Sequence, residues 1–160
     1  MKLIDIIKEN LYHHNHNVNH FDHSDLTFNA VQVDEDHVDY YITIADSGRR
    51  IGKYTLWNCA DTVFIWDSLN APNKTYIYKL MGIIPAIILD YMANEYYPED
   101  SYPDEFNIDL DTAIKSKRFN EWDYYYYTNN ALLGNYRVSK NSVLFRINPP
   151  KKPKIPQGDD

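Results

Sequence analysis

A single cysteine, Cys59, stands in the 160 residues, so no disulfide can form within the chain, and a reducing compartment is expected. Glycine is scarce as well. Gly48, Gly52, Gly82, Gly134 and Gly158 lie far apart and make no phosphate-cradling loop of the Walker or dinucleotide type. Long hydrophobic runs are missing: the most apolar stretch, Leu80 to Met92, is broken by Pro85 and Asp90 and falls short of the ~20 residues a membrane span takes. The first residues carry Lys2, Asp5 and Glu9 in an amphipathic pattern, unlike the apolar centre of a signal peptide. Ser47 and Ser68 fall near turns but in no Gly-x-Ser-x-Gly elbow. These absences predict a soluble cytoplasmic protein with no membrane contact and no familiar nucleophile.

Positive charge is absent over two long stretches. From Leu3 to Gly48 nine acids (Asp5, Glu9, Asp22, Asp25, Asp34, Glu35, Asp36, Asp39, Asp46) face one base, Lys8. From Leu80 to Ile114 eight acids (Asp90, Glu95, Glu99, Asp100, Asp104, Glu105, Asp109, Asp111) face none. The bases collect at Arg49, Arg50 and Lys53, at Lys115, Lys117 and Arg118, and in the tail. Nucleic acid is bound mainly by neutralising phosphates with Lys and Arg, so the net charge of −7 opposes direct nucleic-acid binding. It suits a basic protein partner, toward which an acidic surface is steered.

At this length one domain is expected, large enough to bury a core without metal or disulfides. The fold class read from the pattern is α+β. Leu3, Ile6, Ile7 and Leu11 recur at helical spacing and predict a short N-terminal helix. His13 to Asp25 is polar and reads as a loop. Four strands follow as an antiparallel meander: Leu26–Val33, His37–Ala45, Arg50–Trp57 and Thr62–Trp66, the last apolar on both faces and so central or covered. Asn70 to Asn73 is a loop ending in a helix cap. From Lys74 to Tyr97, Tyr76, Leu80, Ile83, Ile84, Ile87, Ile88 and Tyr91 mark one core helix that Pro85 kinks or divides. After an acidic loop, Pro98 to Pro103, Asp109 or Asp111 is expected to cap another helix through Phe119. Tyr136–Ser139 and Ser142–Ile147 predict a closing hairpin. The domain so defined is 1–147; residues 148–160, with Pro149, Pro150, Pro153, Pro156 and three lysines, form an extended tail.

Candidate chemistry is thin. His13, His14, His16, His20 and His23 are interleaved with Asn, but a zinc site needs three or four fixed ligands, and a solvated loop is the simpler reading. The string His14-Asn15-His16 is not the nuclease motif of that name, whose residues are spread over a strand and a helix. Asp104, Asp109, Asp111, Lys115 and Lys117 faintly resemble a Pro-Asp…(Asp/Glu)-x-Lys nuclease core. No acid stands two residues before either lysine, so the carboxylates and lysine needed at one metal do not converge. Cys59 reads as a small buried hydrophobe. No catalytic residue, metal or cofactor is expected.

Tyrosine is the distinctive residue, with 15 in the chain. Tyr124, Tyr125, Tyr126 and Tyr127 follow Trp122, and a strand sends alternate side chains to opposite faces, so the run cannot all face a core. Tyr is favoured at interface hot spots. The rival use, base stacking, is opposed by Glu121 and Asp123 beside the run. The expected partner surface therefore combines Asp34, Glu35 and Asp36, then Glu99, Asp100, Asp104 and Glu105, then Tyr124 to Tyr127.

The opening Met1-Lys2-Leu3-Ile4-Asp5-Ile6-Ile7-Lys8-Glu9-Asn10, with the Asn-, Tyr- and Asp-rich body, resembles the anti-CRISPR proteins of phages and mobile elements. Among these it is most similar to staphylococcal inhibitors of the type II-A CRISPR effector nuclease. The resemblance is one of size and texture along most of the chain and transfers no functional residue. It implies a non-enzymatic inhibitor that binds the effector and blocks DNA entry or holds a nuclease domain inactive. Some inhibitors of that group carry an N-terminal DNA-binding module; the acidic N-terminal half here does not display one. Two other classes stay open, a metal-dependent hydrolase using His13 to His23 and a phage structural or assembly protein.

Overall fold

The computed structural model describes residues 18–109, 133–138 and 143–147. The N-terminal helix, the helix expected through Phe119, Tyr124 to Tyr127 and the tail lie outside the described residues. Within them the fold is α+β. A seven-stranded mixed sheet, in the order β1-β2-β3-β4-β5-β7-β6, carries helices on one face. The strands are β1 (Leu26–Gln32), β2 (His37–Ile44), β3 (Arg50–Cys59), β4 (Thr62–Leu69), β5 (Glu105–Asp109), β6 (Leu133–Val138) and β7 (Val143–Ile147); the helices are α1 (Lys74–Gly82) and α2 (Ile84–Ala93).

The first four strands form the antiparallel meander. Val38, Tyr40 and Ile42 on β2, Tyr54 and Leu56 on β3, and Val63 and Ile65 on β4 alternate onto one face and are fully buried. Gly52 is required where β3 bulges: its φ is 149°, and a Cβ there would lie 2.8–2.9 Å from Leu69 and the Ser68 carbonyl. β4 is indeed central, between β3 and β5, but only Val63 and Ile65 are covered by helix. Phe64 is half-buried and Trp66 is exposed on the other face.

Asn73 caps α1 by accepting through Oδ1 from the Thr75 and Tyr76 amides at 3.0 and 3.4 Å. The expected single helix is two. Pro85 enters in the first turn of α2, where its missing N–H costs nothing, and Ile83 joins the halves. The helix stops at Ala93, short of Tyr97, in a Schellman closure. The Tyr96 amide donates to the Tyr91 carbonyl, the Glu95 amide to that of Met92, and Glu95 takes φ 53°. By length and composition alone Lys74–Ala93 could cross a membrane; here Leu80, Ile84, Ile87 and Ile88 are packed in the core.

Asp109 ends a further strand, β5, which runs parallel to β4 because α1 and α2 carry the chain back across the sheet. Phe106 and Ile108 alternate inward from it. One further expectation is corrected: the polar segment before β1 is not all loop. Val18–Phe21 forms a 3₁₀ turn whose Phe21 ring is buried edge-on against Tyr78 at 5.4 Å. Gly82 admits it, since a Cβ at that position would overlap the Phe21 carbonyl.

The largest core side chains include Tyr40, Tyr54 and Tyr91. Tyr40 donates to Asp90 Oδ2 at 2.9 Å and Tyr54 to the Leu80 carbonyl, so a sheet residue reaches the helix layer with its hydroxyl satisfied. Burial pushes all three phenols above their ordinary range; for Tyr40 the Asp90 carboxylate adds to the shift.

Candidate protein-binding site

Three separate segments deliver their acids to one end of the sheet. Asp34, Glu35 and Asp36 form the β1–β2 turn, Asp61 lies in the β3–β4 turn, and Glu99, Asp100 and Asp104 lie in the loop from α2 to β5. All seven are exposed; Glu105, the first residue of β5, is half-buried. Arg146 on β7 stands in register with Glu105. Arg49 in the β2–β3 turn, Arg50 opening β3 and Lys74 opening α1 lie at the opposite end.

The end of the β3–β4 hairpin ties these segments together. The Asn58 amide donates to the Asp36 carbonyl at 2.8 Å, and Asn58 Nδ2 to the Ser101 carbonyl at 3.3 Å. The Asp61 carbonyl accepts from the amides of Asp104 and Glu105 at 2.8 and 3.3 Å. Asn58 is buried, and a buried amide must find partners; meeting both neighbours, it fixes the spacing of two acidic loops. The β1–β2 turn is self-braced: Asp34 Oδ1 accepts from the amides of Asp36 and His37, each at 2.8 Å, and pairs with His37 Nδ1. The His37 side chain first, then the Asp36 amide, hold the Asp34 carboxyl below its ordinary value. This bracing is therefore present above the ordinary carboxyl range and is lost as pH falls through the depressed value.

Asp34, Glu35, Asp36, Glu99, Asp100, Asp104 and Glu105, seven of the residues expected on the partner surface, stand at this end of the sheet; Tyr124 to Tyr127, expected with them, lie outside the described residues. Asn58 and Asp61 were not among the expected residues, because their roles depend on long-range pairing. Cys59 is also corrected: ending β3 beside the turn, its thiol is exposed. Among the described residues no group of three His, Cys, Asp or Glu is placed to hold a metal ion.

The sheet face turned away from the helices begins next to this acidic end. His37, Trp57 and Phe64 lie in one cross-strand row and Thr55 and Trp66 in the next. His37 stacks on Trp57 (centroids 5.8 Å, planes 4° apart), and Trp57 meets Phe64 at 5.6 Å and Trp66 at 5.4 Å. Trp66 is 40% exposed. Farther along the same face, Arg50 lies 4.1 Å over the Tyr41 ring. Asp39, buried there, accepts from Thr55 Oγ1 at 2.7 Å and pairs with Lys53 at 3.4 Å. The period-two apolar residues of β4 gave a hint of this face, but read as coverage on both sides.

No protein-family profile and no curated protein matches the chain. Among solved structures it is similar to a mutant of a cAMP-binding acyltransferase from Mycobacterium smegmatis, at 14% identity and a TM-score of 0.45. The match covers 76% of this chain and 34% of that protein, so the chain spans about a third of its length. A likeness of that degree carries no argument about function.

Proposed function

We propose that this chain is a non-enzymatic binding protein whose acidic sheet end docks on a basic protein surface. The observation that carries the reading is the convergence of Asp34, Glu35, Asp36, Asp61, Glu99, Asp100 and Asp104 from three chain segments. A surface of that sign steers cationic partners and repels phosphate. Proteins that handle DNA present the complementary surface, so the chain acts by occupying a site otherwise filled by DNA. With the resemblance to anti-CRISPR proteins, the target is a CRISPR effector nuclease and the outcome is loss of DNA binding or cleavage. The cell interior of a bacterial host is the corresponding location.

The test is an affinity pull-down from cells carrying CRISPR effectors, followed by a DNA-cleavage assay with the purified chain. Stoichiometric capture and inhibition, both weakened by salt through screening of exposed charge, are expected. Absence of capture and inhibition across effectors would refute the reading.

A further inference from the structure

We infer that the aromatic ladder His37–Trp57–Phe64–Trp66 is a docking face for an arginine-rich segment of the partner, with guanidinium groups stacked on the Trp rings. The inference rests on the proposed reading of the chain as a binder of basic protein and names the side chain it selects. Its basis is the sheet face itself. Four rings lie stacked or tilted against one another across β2, β3 and β4, with Trp66 40% exposed at the end away from the acidic turns. A Trp left in water on a sheet face, ringed by half-buried aromatics, has the anatomy of an interface anchor.

Charge selects the occupant. The ladder begins one residue after Asp36, and its Trp57–Phe64 row lies two residue pairs along the hairpin from the Cys59–Thr62 pair that bounds Asp61. A ligand lying along the face from Trp66 toward the turns passes from rings to carboxylates. Arginine answers both, because its flat, weakly hydrated guanidinium stacks on aromatic faces and forks onto carboxylates. A lysine ammonium matches the carboxylates but, compact and strongly hydrated, gains less from the rings. Phosphate-bearing strands stack well but meet seven exposed acids. A second copy of this chain, itself at −7, meets the same repulsion. The protein already shows the favoured contact on this face, where its own Arg50 guanidinium lies 4.1 Å over Tyr41.

Calorimetric titration with two short peptides of equal length and charge, one arginine-rich and one lysine-rich, tests this. The arginine peptide binds tighter by about 5-fold, the gain of a partly exposed cation–ring contact, and added salt weakens both. Trp66→Leu keeps apolar bulk but removes the indole, and brings the two affinities together. Trp66→Tyr, with a smaller ring, keeps part of the preference. Equal affinities in the unaltered protein, or a preference unchanged in Trp66→Leu, overturn the inference while leaving the acidic-end reading standing. If neither peptide binds, both fall. Binding of a single-stranded oligonucleotide that depends on Trp66 overturns it in favour of nucleic acid.

Discussion

Raising the pH should unfold this protein steeply just above the ordinary phenol range, because three tyrosines must stay neutral to remain inside. Tyr40, Tyr54 and Tyr91 have no exposed surface, and burial raises each above the usual value of 10.0. In the unfolded chain all three lose their protons near that value; in the folded chain they keep them. Their neutral-state stabilisation is therefore fully present below pH 10 and lost as pH rises beyond it. One group held in this way changes stability by about 1.4 kcal/mol per pH unit, so the three together remove about 4 kcal/mol per unit. Against an ordinary domain stability of about 5–15 kcal/mol, unfolding follows within a few pH units. Circular dichroism and tyrosinate absorbance recorded together read this directly. The last tyrosines should ionise only as secondary structure disappears. Tyr40→Phe should reduce the slope by about a third, at a cost of about 1–2 kcal/mol near neutral pH for the lost Asp90 contact. Full ionisation of all tyrosines with the fold intact would refute the reasoning.

Other substitutions probe particular joints. Gly82→Ala drives a methyl into the Phe21 carbonyl and should destabilise the domain by about 1–3 kcal/mol in thermal unfolding; an unchanged midpoint would mean the 3₁₀ turn is not anchored there. Ala60 takes φ 59° at the first position of the two-residue β3–β4 turn, where glycine is preferred, so Ala60→Gly should stabilise by about 1 kcal/mol. Exposed Cys59 should react stoichiometrically with a thiol reagent in the native state, and a bound partner should slow that reaction.

Much of the meander was legible because its strands alternate cleanly and are separated by turn residues: Asp34-Glu35-Asp36 and Asp46-Ser47-Gly48 need no tertiary information to be recognised. Pro85 likewise announced the break between α1 and α2. What failed was set by contacts distant in sequence. β5 is five residues long with acids at both ends, so the alternation of Phe106 and Ile108 is too brief a signal to read as a strand. Phe21 sits among His, Asn and Asp, and only Gly82, far along the chain, makes room for it. The abundance of tyrosine pointed to a surface, yet Tyr40, Tyr54 and Tyr91 are core, and the hydroxyls of Tyr40 and Tyr54 reach helix groups that composition cannot reveal. The acidic loops were identified one by one; their convergence depends on Asn58, an unremarked polar residue in a strand.

The most direct test of the central claim is the dissociation constant for the captured effector, measured against salt for the native chain and for a variant carrying Asp34→Asn, Asp36→Asn, Asp61→Asn and Asp100→Asn. Asparagine retains the Asp34 oxygen that braces the turn, so the fold is kept while charge is removed. The account predicts a marked loss of affinity at low salt and a flatter salt dependence in the variant. Equal affinity and equal salt dependence in both proteins would contradict it.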